Sequence, residues 1–243
     1  MPTPIETAIN NFVEQCQAIP TSLGSPGTRT AALSTNQHTL NIPYPHGITV
    51  GGPEQSSTQI SQINQLLAGR PANASTAVVD SHSNLDLKPL GFEVLFGTPW
   101  SLREPTSSEV WKQSEPRIES VNTPAQLQEF DRAAAAGFGQ PSADVVYSTP
   151  LLNDPRFRFQ FIREGNDLVA GIQTFTNDNS IGIYTLFTLS DHRRKGFAKA
   201  LVRSALATNA DLPAITNPSD QSVHLFRSAG FAEVGKRTIW LKN

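Results

Sequence analysis

The chain has 243 residues, of which 38% are apolar and 16% charged, and its net charge is −2. That is ordinary globular composition, long enough for one large or two small domains. It excludes a disulfide-stapled scaffold, because Cys16 is the only cysteine, and it excludes a helical membrane span, because no run of about 18 apolar residues occurs.

A single cysteine makes a reducing compartment the default. The opening MPTPIETAINNFVEQ has neither the basic start nor the apolar core of a secretory leader, so a cytoplasmic location is expected. Residues 4–18 read as a helix. Residues 20–56 are rich in Pro, Gly, Ser, Thr and Asn, with strand candidates at 28–33 and 39–50. From Ser57 to Leu67 the spacing of Ile60, Ile63, Leu66 and Leu67 is helical. Ala77 to Val79 reads as a strand, followed by a short helix and a strand from Leu90 to Phe96. The stretch 101–116, SLREPTSSEVWKQSEP, reads as a connector. The expected division is an N-terminal α/β domain over 1–115 and a second domain over 116–243. Trp100 and Trp111 stand beside the connector, where aromatic side chains line a cleft or pack an interface.

In the second half, Pro116 to Val121 is a strand candidate. Thr123 as N-cap with Pro124 at N1 opens a helix to about Ala136. A short helix is expected over 142–152. Phe157 to Ile162 alternates as a strand does, Gly165-Asn166 is a hairpin turn, and Leu168 to Phe175 is its partner. After the turn Asn177 to Ser180, another strand runs to Leu189. There the sequence LFTLSDHRRKGFAKALV, residues 186–202, changes from strand to basic loop to helix, with Phe197, Leu201, Val202, Ala205 and Leu206 on one face. A strand–Gly turn–helix junction aims unpaired backbone N–H groups and the positive helix end at whatever occupies the turn, and phosphate suits it. A short strand near Leu212–Thr216, a helix within SDQSVHLFRSAGF (219–231) and a last strand that starts at Phe231 and runs through Val234 to Trp240 and Leu241 complete the order. Five of the 14 basic residues of 116–243 fall within 193–203, and no broad basic face exists, so nucleic acid is not an expected partner.

The spacing Arg193-x-x-Gly196-x-Ala198 resembles the acyl-CoA pyrophosphate loop of the GCN5-related N-acetyltransferase (GNAT) family. Leu225-Phe226-x-x-x-Gly230-Phe231 is similar to that family's Leu-Tyr-x-x-x-Gly-Phe pattern, with Ser219 seven residues before Phe226, where the family has Asn or Ser. The resemblance covers roughly 116–243. It implies an α/β (α+β) fold: a mixed, twisted sheet flanked by helices, with an additional N-terminal α/β domain. Leu90-Gly91-Phe92 echoes Ala229-Gly230-Phe231 and points to a degenerate second copy that lacks a phosphate loop.

The resemblance also implies an N-acetyltransferase that uses acetyl-CoA as co-substrate, acts on an amine acceptor and needs no metal. The pantetheine arm would lie along Leu186, Phe187 and Thr188. The pyrophosphate would rest on the backbone of Arg193, Arg194, Lys195, Gly196, Phe197, Ala198 and Lys199, with the basic side chains adding attraction. Ser219 and Ser222 would face the pantetheine or the departing sulfur. A small amine is favoured as acceptor, with the N-terminal half shaping its side of the cleft; no membrane partner is expected, and an oligomer stays open. The chain departs from the family at Phe226, where a tyrosine usually meets the leaving thiolate. No catalytic residue is therefore assigned. Tyr184 shares strand parity with Leu186 and Thr188, while Asp191, His192 and His224 stand nearby in sequence. A non-catalytic acyl-CoA-binding protein is the alternative reading.

Overall fold

The computed structural model describes residues 2–38, 43–71, 73–106, 116–140 and 146–243. In chain order the elements are α1 (Pro4–Ser22), β1 (Thr28–Arg29), β2 (Leu33–Thr35), β3 (Gly47–Thr49), α2 (Ser56–Ala68), β4 (Thr76–Asp80), β5 (Glu93–Arg103), β6 (Ile118–Ser120), α3 (Pro124–Gly137), β7 (Phe157–Glu164), β8 (Asp167–Asn177), β9 (Ser180–Thr188), α4 (Phe197–Thr208), β10 (Ala214–Thr216), α5 (Val223–Ser228) and β11 (Ala232–Lys242). All the strands join one mixed sheet of order β1-β2-β3-β4-β11-β5-β10-β9-β8-β7-β6.

This order is a palindrome about the antiparallel pair β11·β5. On one side β4 is followed by β3, β2 and β1; on the other β10 is followed by β9, β8 and β7. Each side has one parallel step, β3 to β4 and β9 to β10, and antiparallel pairs elsewhere. A parallel step needs a crossover, and α2 and α4 supply it. The two halves also share a helix start. Thr3 and Thr123 are N-caps followed by proline, each closing a capping box, with Glu6 and Gln126 respectively. The regions 1–115 and 116–243 therefore share one sheet, with β5 of the first between two strands of the second.

Helices α1 and α3 cover one face. Their core includes Phe12, Phe130, Trp100, Phe159 and Phe187, each fully buried apolar side chain contributing roughly 1.5–3 kcal/mol. On the other face, Leu201, Val202 and Ala205 of α4 pack with Phe226 of α5 against Ile172, Ile181 and Ile183, and Ile63 of α2 packs with Val78 and Trp240.

Some expectations shift. Helix α1 continues through Pro20 to Ser22, because Ile19 and Pro20 are buried against the core. The segment 28–33 holds parts of two short strands of a hairpin; of 39–50, residues 39–42 lie outside the described residues and within 43–50 the strand is Gly47–Thr49. Strand β5 runs seven residues past Phe96 and takes up the start of the expected connector. Within 142–152 the described residues form a 3₁₀ turn, Thr149–Asn153. Trp111 lies outside the described residues. Trp100 is fully buried and donates from Nε1 to Ser81 O at 2.8 Å, so it packs the core and lines no cleft.

Candidate active site

Strands β9 and β10 pair only through Ala214↔Ile181 and Ile215↔Gly182. Beyond that they part, and Thr216 Oγ1 donates to Ile183 O at the apex of the split, 3.1 Å away. From there to Thr188, β9 has no strand partner on that side. The gap widens into a cleft of about 630 Å³ lined by Ile183–Thr188, the turn residues 192–194 and 196–199, Thr216–Ser219, Ser222, Leu225, Phe226 and the end of α3 at Gly137 and Phe138.

A β-bulge shapes its floor. The register of β8 against β9 slips between Gly171↔Phe187 and Gln173↔Tyr184, so Thr185 and Leu186 together face one residue. Thr185 carries φ 43°, a conformation that costs a β-branched residue about 1–3 kcal/mol. Tyr147 holds it, the two hydroxyls 2.6 Å apart. The chain of hydroxyls continues from Tyr147 to Tyr44 at 3.4 Å, and Gln15 Nε2 donates to Tyr44 at 3.2 Å. Burial raises the Tyr147 phenol well above its ordinary pKa, so it serves as a hydrogen-bonding group and not as a base.

The bulge also inverts the side-chain alternation on which the expectation for Tyr184 rested. Tyr184 points to the α1 face, where its hydroxyl donates to Asn11 Oδ1 at 2.8 Å and its ring meets Phe12.

At the wide end, the turn before α4 places Arg194 at φ 65° and Gly196 at φ 86°. Helix α4 has no side-chain cap, and its first i→i−4 bond is Ala200 N to Gly196 O. The N–H groups of Phe197, Ala198 and Lys199 precede that bond, and together with the helix dipole they form a nest for an anion. The side chains divide. Arg193 folds inward, Nε donating to Thr188 O and an Nη to Gly137 O, both at 3.2 Å, and so ties the end of β9 to α3. Lys195 donates to Glu164 Oε2 at 2.7 Å, and His192 Nδ1 meets the same oxygen. Lys195 and, more weakly, His192 hold the Glu164 carboxyl below its usual pKa. Arg194 and Lys199 line the cleft without an ion pair among the described residues.

Of the twelve residues expected at the co-substrate, the structure brings eleven to this cleft; Lys195 lies outside its wall, on Glu164. Ser219 and Ser222 face each other across 3.2 Å at its rim. Phe226 is buried in its wall, edge-on to Phe231 at 5.3 Å between ring centres. The α5 exit closes with Phe231 N on Phe226 O and Gly230 at φ 88°, a left-handed cap. His224 and Asp191 are exposed and line no part of the cleft. Residues not foreseen are Thr185, Tyr147 and Asn217. Thr188 Oγ1 and Asn217 Nδ2 are buried at the cleft with no hydrogen-bond partner among the described residues, an arrangement that costs about 1–3 kcal/mol each until something pairs them.

With this geometry in place, comparison with known proteins is specific. Residues 124–231 match the model of the acetyltransferase (GNAT) family. The fold is similar to that of a GCN5-related N-acetyltransferase from Kribbella flavida, with TM-score 0.67 and 15% identity over 97% of this chain and 95% of that one. A putative acetyltransferase of the GNAT family from Novosphingobium aromaticivorans gives 0.63 and 15% over 99% and 98%. A GCN5-related N-acetyltransferase from Sphaerobacter thermophilus gives 0.58 and 12% over 99% and 93%. Both halves of the chain thus belong to a shared architecture. No curated protein matches in sequence.

Proposed function

We propose that this chain, which carries a GNAT acetyltransferase domain at residues 124–231, transfers the acetyl group of acetyl-CoA to the amine of a small molecule. The observation that carries the reading is the split between β9 and β10, with an uncapped helix end at its wide mouth. The split leaves extended backbone free to pair with a pantetheine arm, and the α4 N-terminus with Arg194 and Lys199 suits a pyrophosphate. Thr188 Oγ1 and Asn217 Nδ2 are the unpaired groups such a ligand would satisfy.

The chemistry follows from the thioester. A neutral amine nitrogen attacks the carbonyl carbon, the C–N bond forms, and the C–S bond breaks with its electron pair on sulfur. The proton lost by the amine ends on the thiolate or in solvent. Unpaired backbone N–H groups of β9 beyond Ile183 are the donors available to the oxyanion. Phe226 supplies no proton, but a thiol of pKa about 8.5 leaves adequately as thiolate.

Phe226 also supports a second reading, a protein that binds acyl-CoA without turning it over. One titration with acetyl-CoA followed by thiol release over an amine panel decides. Binding with turnover is expected; binding with no turnover on any amine favours the second reading, and no binding at millimolar acetyl-CoA removes both.

A further inference from the structure

A second cavity, of about 650 Å³, lies on the α1 face where β4, β11 and β5 run together. Its wall is mostly apolar and aromatic, with Phe12, Tyr44 and Ile239 prominent. One group in it is out of place. Arg237 is 8% exposed, its guanidinium stacked 4.7 Å from the Phe12 ring centre and 5.0 Å from that of Trp100. Its Nε donates to Thr98 Oγ1 at 2.8 Å, and one Nη is buried with no partner among the described residues. It has no carboxylate partner there either.

The other basic groups of the cavity are spent. Arg70 donates to Thr76 Oγ1, His38 O and Ser75 O. His46 accepts from Ala77 N, and burial first, then the Arg70 and His38 charges, push its pKa down to about 3, so it is neutral. Burial lowers Arg237 to about 10, which leaves it a cation at pH 7. Among the described residues the cavity therefore offers two guanidinium charges with no carboxylate partner; Arg70 is held by neutral oxygens, while Arg237 keeps an open Nη in an aromatic wall, a costly arrangement unless a ligand answers it. A layer of buried side chains separates the cavity from the cleft. Tyr44 lines the cavity and Thr185 lines the cleft, with Tyr147 bridging their hydroxyls, while Phe12 packs on Tyr184.

We infer that this cavity receives the acceptor, and that the acceptor carries a carboxylate, which pairs with Arg237. The inference rests on the acetyltransferase reading of the cleft. A carboxylate matches the planar guanidinium of Arg237, whose Nη has no partner among the described residues. The apolar wall takes a hydrocarbon or aromatic body, and the amine points toward the Tyr44–Tyr147–Thr185 hydroxyls. Arg237 is then a specificity-determining residue that touches substrate away from the reacting atoms.

The test uses the full chain and matched probes: amino acids of graded length and aromatic character, the carboxamide of each, and phosphonate analogues. Thiol release from acetyl-CoA gives kcat/KM for each. Simple carboxylates such as hexanoate and phenylacetate, with their amides, give thermal shifts without turnover. Carboxylates should lead amides by roughly 10- to 100-fold, the range of a charge-assisted pair. Arg237→Gln should collapse that ratio to about one while leaving the acetyl-CoA thermal shift unchanged. Arg237→Lys, which keeps charge and stem, is the variant to use if the glutamine protein folds poorly, and it should retain a reduced preference of the same sign. A purely structural arginine would move stability and leave the ratio alone. Equal handling of acids and amides by the parent, preference for phosphonates, or no shift with any carboxylate at millimolar concentration would each overturn the inference. Loss of acetyl-CoA binding by the parent would instead sink the reading beneath it.

Discussion

Replacing Gly196 with aspartate changes two things, and the structure separates them. At φ 86° a side chain costs about 1–2 kcal/mol of backbone strain. A Cβ there meets no heavy atom within 4 Å, so no clash is added. For a chain of this length that strain lowers the melting temperature by roughly 2–8 °C, and the protein still folds. The second change is a carboxylate set against the free N–H groups of Phe197, Ala198 and Lys199, which a pyrophosphate would otherwise occupy. Gly196→Ala carries the same strain without the charge and is the control. The assay is thermal unfolding with and without acetyl-CoA. At a hundredfold excess over Kd, a ligand that binds only the folded state adds about 2.7 kcal/mol, a rise of roughly 5–11 °C. The parent should show this rise and Gly196→Ala should keep most of it. Gly196→Asp should show none while remaining cooperative. An equal rise in Gly196→Asp would refute the placement of the pyrophosphate on the α4 N-terminus.

Two further outcomes are expected. Phe226→Tyr should be tolerated and leave turnover unchanged or higher, since it adds a hydroxyl in the cleft wall; a large loss of thiol release in a folded variant would show that the ring packs against the acceptor instead. Asp131 accepts from the N–H groups of Val146 and Tyr147 through one oxygen, and burial, outweighing those bonds, raises its pKa to about 6. A carboxyl raised in the folded state binds more protons there than when unfolded, so its contribution is present at low pH and is lost as pH climbs from about 4 to about 6, at most about 3 kcal/mol. Asp131→Asn keeps an acceptor and removes the charge, so urea denaturation should find that decline gone and stability at pH 7 equal or higher; an unchanged decline would exclude Asp131 as its source.

What could be read from the sequence was what local chemistry decides. Thr123-Pro124 at the start of α3, Gly196 at a left-handed position and Gly230 as a helix cap each force a local conformation whatever lies around them, and the cleft's basic turn was legible for that reason. What was not legible was decided by pairing at a distance. Tyr184 was judged by alternation along one strand, and a single extra residue at Thr185 turned it to the other face. The insertion of β5 between β10 and β11 is a contact across more than a hundred residues of chain, for which no local signal exists. Arg237 is one basic residue in GKRTIW; only the packing of Phe12 and Trp100 against it makes it unusual.

The palindrome of the sheet poses one further question: why only one of its two parallel steps opens. The answer lies in side chains at matching places. Where β3 and β4 end, Ser81 N donates to Thr49 Oγ1 at 2.8 Å and Ser81 Oγ to Thr49 O at 2.6 Å. Trp100 Nε1 then satisfies Ser81 O. The turn before α2 has Glu54 where the turn before α4 has cations, and Gln59 Nε2 donates to Gly51 O at 2.7 Å. Ser81 and Thr49 of the first seam are thus answered from within, and an acid, Glu54, stands in the turn before α2. In the second split a single bond, Thr216 Oγ1 to Ile183 O, closes the apex. Thr188 Oγ1 and Asn217 Nδ2 beyond it have no hydrogen-bond partner among the described residues. The first half stitches its seam with side chains; the second leaves its seam open, with polar groups unpaired among the described residues and an uncapped helix end of the kind that suits an anion.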